Sequence, residues 1–164
     1  MSFLIDTCVI SELRKISPAN SVMEWFSSVD EDELFVSALT IGEIEYGISV
    51  LNNGRKKSSL MEWFEKLKFQ FKDNSLVITP EIASRWGEMR THLKNSGITI
   101  SVVDGLIAAS AIDKDFLLVT RNIADFKNTG AKTKNEINFN NRKKSGRATS
   151  RVTPFRNKTR IGAD

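Results

Sequence analysis

The chain has one cysteine, Cys8, and one histidine, His92, among its 164 residues. A single thiol excludes an internal disulfide framework and suits a reducing cytosol. One Cys and one His also exclude the usual zinc site, which takes four nitrogen or sulfur ligands. Long apolar runs are missing: none reaches the ~18–20 residues that a membrane span needs. The start, Met1-Ser2-Phe3-Leu4-Ile5-Asp6, lacks the basic beginning and long apolar stretch of a secretory leader. The expectation is a cytoplasmic protein with no membrane partner.

Hydrophobic residues make up 40% and charged ones 27%, the balance of a soluble globular domain with one core. The net charge of +4 is unevenly spread. Residues 1–126 carry 13 Lys and Arg against 18 Asp and Glu, whereas residues 127–164 carry 11 against 2. The expected division is a folded domain over 1–139 and a basic tail over 140–164. The tail is poor in apolar residues and expected to have little fixed structure. A basic end on an acidic body fits a polyanion partner or a solvated terminus.

Apolar triplets punctuate the folded part. Phe3-Leu4-Ile5, Leu34-Phe35-Val36, Leu76-Val77-Ile78 and Phe116–Val119 read as short strands. Between them lie helical patterns: Thr7 to Lys15, a second from Pro18, Ile41–Leu51, Arg55–Lys72, one from Pro80 to Gly97, and 103–113. Leu60, Phe64, Leu67 and Phe71 form one stripe, and Ile82, Trp86, Met89 and Leu93 another. Ala131–Phe139 alternates weakly, as an edge strand does. Short strands alternating with helices predict an α/β domain around a parallel sheet of four to five strands flanked by helices. There is no internal repeat.

In such sheets ligands bind beyond the carboxyl ends of the strands, and four acids fall there. Asp6 ends the first strand, Glu43 follows the second by one helical turn, Asp104 opens the helix before the fourth, and Asp125 follows the fourth. Each also has an ordinary explanation. Asp6 and Asp104 would cap helices. Thr40-Ile41-Gly42-Glu43 fits a capping box, and Asn122-Ile123-Ala124-Asp125 a cap with an acid three residues on. Gathered in one groove, however, four ionised carboxylates repel one another. A hard divalent ion, Mg2+ or Mn2+, removes that repulsion. It also lowers the pKa of a bound water and holds a phosphate for in-line attack. Phosphodiester hydrolysis is the chemistry that uses several carboxylates and neither Cys nor His.

Four segments carry a resemblance: Phe3-Leu4-Ile5-Asp6-Thr7; Val36-Ser37-Ala38-Leu39-Thr40-Ile41-Gly42-Glu43 with Tyr46-Gly47; Asp104-Gly105-Leu106-Ile107-Ala108-Ala109; and Leu118-Val119-Thr120-Arg121-Asn122 with Asp125-Phe126. In them, and in their order over about residues 1–130, the chain resembles a PIN-domain protein, specifically a VapC-type toxin of a toxin–antitoxin pair. The resemblance implies a metal-dependent endoribonuclease with Asp6, Glu43, Asp104 and Asp125 as its acidic site. It further implies a homodimer or larger toxin–antitoxin assembly, and a VapB-like antitoxin whose extended segment blocks the groove. Thr7 and Thr120 would hydrogen-bond a carboxylate or metal-bound water. Asn122 shares the Thr120 turn, and Arg121 there would pair with phosphate or form a structural salt bridge. The family usually has Asn where this chain has Cys8, so weaker support of the site is expected. RNA phosphates would meet Arg14, Lys15, Arg55-Lys56-Lys57, Arg121 and the tail. Some of Trp63, Phe69 and Phe71 would serve a dimer or antitoxin contact. A non-catalytic RNA-binding protein of the same fold is the alternative. A phosphate-receiving signalling domain fits less well, because that class has an acidic pair after its first strand and only Asp6 is present.

Overall fold

A computed structural model of the chain describes residues 1–135. Five parallel strands form one sheet in the order β3-β2-β1-β4-β5. They are β1 (Phe3–Ile5), β2 (Leu34–Ser37), β3 (Ser75–Leu76), β4 (Leu117–Val119) and β5 (Thr133–Lys134). β1 is the central strand, with Ile5 in register with Val36 on one side and Val119 on the other. Its three residues are all buried, as expected of a parallel strand covered on both faces. Alternation sends Phe3 and Ile5 to one face and Leu4 to the other. Phe3 and Ile5 join a large core with Trp25, Phe26, Phe64 and Leu67. Leu4 joins a smaller one with Ile107, Ala108, Leu118 and Phe126.

The helices are α1 (Thr7–Leu13), α2 (Asn20–Ser28), α3 (Ala38–Ser49), α4 (Arg55–Gln70), α5 (Pro80–Asn95), α6 (Val102–Lys114) and the single turn α7 (Ile123–Phe126). Residues of α1 to α4 fill the large core and those of α6 and α7 the small one, giving helices on both faces of the sheet. The two stripes read from the sequence face inward at Leu60, Phe64, Leu67, Phe71, Ile82 and Leu93, while Trp86 and Met89 are half-buried.

Several element boundaries differ from the sequence reading for local reasons. α3 begins at Ala38 rather than Ile41, because Ser37 is the N-cap and its hydroxyl accepts from the Leu39 N–H at 3.2 Å. Such a cap contributes about 1 kcal/mol. The expected Thr40–Glu43 capping box is therefore absent. α6 opens one residue earlier than expected, capped by Ser101, which puts Asp104 inside the first turn. α2 starts at Asn20, two residues after Pro18. β3 keeps only Ser75 and Leu76, and Val77 beyond it is exposed. Residues 123–126, which follow the expected Asn122 cap, form the single turn α7. Of the expected edge strand 131–139, Thr133 and Lys134 pair with β4. Residues 136–139 and the tail 140–164 lie outside the described residues.

One close approach positions the start of α6. A Cβ at Gly105 would lie 2.8 Å from Cδ1 and Nε1 of the Trp86 indole. Only glycine lets α5 and α6 come this near. The Trp86 Nε1 is buried there without an acceptor, a cost that the packing of the ring offsets.

Candidate active site

The site grows from the carboxyl ends of β1 and β4. The Asp6 N–H bonds to the Val119 carbonyl at 3.0 Å, so the chain leaves β1 tied to its neighbour. Asp6 then caps α1, with Oδ1 accepting from the Thr7 N–H at 2.7 Å. Its other oxygen, Oδ2, accepts from the Thr120 hydroxyl at 2.7 Å and from the Cys8 thiol at 3.0 Å. Asp6 is 6% exposed and is held by three neutral donors. No ion pair reaches it among the described residues. A buried carboxylate with no cation beside it is electrostatically costly, and an added cation would relieve that cost.

Thr7 continues the network, its hydroxyl donating to Oε2 of Glu43 on the second turn of α3. Glu43 is thus turned toward α1 rather than back to the Thr40 backbone, and the Thr40 Oγ1 has no partner. Thr120 is fully buried and also accepts from the Asn122 N–H at 3.0 Å. Asn122 itself is exposed, and its side chain does not cap α7.

The other two acids sit on the neighbouring elements. Helices that return the chain between parallel strands start at the strands' carboxyl edge, and α6 does so before β4. Asp104 accepts from the Ser101 hydroxyl at 2.6 Å, and the same oxygen accepts from the Asp104 N–H at 3.0 Å. Asp125 is exposed in α7, directly after β4. No hydrogen bond joins Asp104 or Asp125 to the Asp6 network among the described residues. As they stand, no three described His, Cys, Asp or Glu side chains lie close enough to chelate an ion. The donors at this edge are nonetheless carboxylates and hydroxyls, the set a hard divalent ion takes.

Arg121 and Cys8 each have a defined partner. Arg121 is committed: its Nη1 donates to Glu12 Oε2 at 2.6 Å, so of the two roles open to it the salt bridge is the one formed. Glu12 also pairs with Lys15 and accepts from the Ala19 N–H at 3.2 Å. The hydrogen bond from Lys15, and the positive charges of Lys15 and Arg121, hold its carboxyl below the usual range. The sequence reading passed over Glu12, although its spacing to Lys15 is that of a helical ion pair. Cys8 does reach Asp6, its thiol donating to that carboxylate at 3.0 Å, and a thiol is a weaker donor than the amide usual in the family. Burial and the charge of Asp6 push the thiol up to about 11, so it keeps its proton. Ser101, also passed over, was signalled by the Ser-x-x-Asp spacing to Asp104.

Comparison with known proteins identifies the family. The sequence profile of the PIN domain matches residues 3–132. Toxin FitB of Neisseria gonorrhoeae is 32% identical over 124 residues, 75% of this chain and 89% of that protein. The VapC ribonuclease Y4jK of Sinorhizobium fredii is 27% identical over 128 residues, 77% of this chain and 91% of its own. The crystal structure of FitAcB from Neisseria gonorrhoeae superposes with a TM-score of 0.78 at 30% identity, covering 83% of this chain and 99% of that one.

Proposed function

This chain belongs to the PIN-domain family, and from that premise we propose that it is the toxin of a toxin–antitoxin pair, a metal-dependent endoribonuclease. The observation that carries the reading is Asp6. It is a buried carboxylate at the carboxyl edge of the sheet, fixed by Thr7, Cys8 and Thr120 and without a Lys or Arg partner among the described residues. Asp6, Asp104 and Asp125 would hold Mg2+ or Mn2+, with Glu43 beside them. The ion supplies a bound water of lowered pKa and neutralises charge at the phosphate.

The chain's own groups do the rest. Thr120 and the Thr7 N–H keep both Asp6 oxygens oriented. The Thr7 hydroxyl would aim Glu43, which would take a proton from the attacking water as the water's oxygen bonds to phosphorus; the P–O bond to the leaving ribose oxygen breaks, and that oxygen takes a proton from solvent. Ser101 holds Asp104 in the first turn of α6. Relatives named as toxins and as VapC ribonucleases support this activity. A VapB-like antitoxin is the proposed partner, and the exposed apolar residues Tyr46, Val50, Met61 and Phe69 of α3 and α4 suit it or a second copy of the chain. Phe71 is buried and drops out of that set. None of the described helices is long and apolar enough to cross a membrane. Action in the cytoplasm goes with an RNA substrate.

The test is cleavage of single-stranded RNA with and without EDTA, in the parent and in Asp104→Ala. The parent is expected to cut with Mg2+ or Mn2+ and to stop with EDTA, and Asp104→Ala to stay folded and lose at least a hundredfold in rate. Equal cutting by Asp104→Ala would overturn the site. RNA binding with no cleavage under any divalent ion would replace the enzyme by a non-catalytic binder.

A further inference from the structure

The cations that would meet RNA are sorted by their bonds. Lys15 and Arg121 are spent on Glu12. Lys57 donates to the Ser49 and Leu51 carbonyls at 2.9 and 3.1 Å, closing the end of α3. Lys68 pairs with Glu65. Arg14, at the end of α1, and Lys56, in the first turn of α4, are exposed and have no ion pair among the described residues. They line one cavity of about 190 Å3, and that cavity includes Thr7 and Glu43. The groove therefore opens directly from the proposed reaction centre. Ile44 and Ile48 lie along it, with the half-buried Trp63 of α4.

We infer that this groove between α1, α3 and α4 is a subsite for the RNA strand beside the scissile phosphate. Arg14 and Lys56 grip its phosphates and Trp63 stacks one base. The inference rests on the ribonuclease reading and adds to it where the substrate runs. The cavity is smaller than the roughly 300–1,000 Å3 of a small-molecule pocket, so it suits one stretch of a polymer passing through. Two unpaired cations flank it, and its acid, Glu43, already has Thr7. A polyanion with flat aromatic bases satisfies these groups. An apolar peptide would leave both cations unpaired.

The purified full chain is compared with Arg14→Ala/Lys56→Ala, the charge-keeping Arg14→Lys/Lys56→Arg, Trp63→Leu, and Lys66→Ala, an exposed cation of α4 outside the groove, as a control. Two readouts are taken on a mixed-sequence single-stranded RNA oligonucleotide: polarisation binding in EDTA, and KM and kcat of Mg2+-dependent cleavage, each at several salt concentrations. Removing both cations is expected to weaken binding and raise KM about tenfold or more at low salt, with kcat within threefold. The log–log salt slope should flatten by about 1.4, two phosphate contacts at ~0.7 each. The charge-keeping pair should restore the slope. Trp63→Leu should weaken binding with the slope unchanged, and Lys66→Ala should leave binding and KM within about twofold of the parent. Parent-like KM and slope in the double alanine variant would overturn the subsite while leaving the ribonuclease intact. So would loss of binding to an acidic peptide in place of RNA. A parent that neither binds nor cuts RNA would sink both readings.

Discussion

Helix α1 carries a buried carboxylate near each end, and the two are neutralised in opposite ways. Glu12, 5% exposed, sits beside Lys15 and Arg121. Asp6, 6% exposed, has only an amide, a hydroxyl and a thiol. At Glu12 the protein supplies the counter-charge itself, which ties α1 to the turn after β4. At Asp6 the geometry is fixed and the charge is left open. The contrast separates a carboxylate that completes the fold from one that, on the proposed reading, would take a cation.

That contrast breaks first at Asp6. Asp6→Asn keeps one acceptor oxygen, enough to cap the Thr7 N–H, and turns an NH2 toward Thr120 and Cys8. The lost acceptor offsets the relief of the buried charge, so stability by chemical denaturation should shift by no more than about 1 kcal/mol. Metal-stimulated RNA cleavage should fall by at least a hundredfold. Unchanged cleavage would mean that the open charge has no part in the reaction.

The second test lies at Glu12. Glu12→Gln removes the partner of Arg121 and Lys15, both of which reach solvent on their own, so the loss should be about 1–2 kcal/mol rather than the larger cost of stranding a buried charge. The depressed Glu12 pKa contributes stability that is present above the ordinary carboxyl pKa of about 4 and lost as pH falls through the folded-state value. Denaturation curves of the parent should weaken over that acid window more than those of Glu12→Gln. Identical curves would show that the pair is ornamental.

Cys8 gives the smallest effect. Its pKa of about 11 in the fold lies above the roughly 8.5 of a free thiol. The unfolded chain therefore releases the proton first, and the stabilising term, full below the free value, is lost as pH rises toward 11. Cys8→Ser should lack that alkaline decline. Native Cys8 should react with iodoacetamide at pH 8 far more slowly than it does in the unfolded chain, because the reagent needs the thiolate. Rapid labelling of the native protein would contradict the neutral thiol.

The sequence made the fold legible where period and residue type agreed. β1, β2, β4 and the long amphipathic helices α4 and α5 stand within a few residues of their expected bounds. It was weaker at termini, where a single hydroxyl decides. Ser37 and Ser101 begin α3 and α6 earlier than the apolar periodicity suggests, because a cap is a local bond that periodicity does not report. The acids were legible as residues at strand ends. What held each one was less so: that Thr7 would aim Glu43, or that Arg121 would be claimed by Glu12, depends on pairings across more than thirty and more than one hundred positions. No local pattern encodes such distances, and the thiol of Cys8 on Asp6 is a contact that neither periodicity nor cap spacing reports.

The strand order has a consequence for the cell that makes this protein. β1 is translated first, yet its partner β4 and the Thr120 that braces Asp6 come more than a hundred residues later. A growing chain on the ribosome holds Asp6 and Glu43 early but has neither Asp104 nor Asp125 until most of the domain has been made. Fragments from broken messages or stalled translation stop short of a working site. If the proposed acids are the reaction centre, a ribonuclease of this topology would be harmless to the message and ribosome that produce it until it is nearly complete.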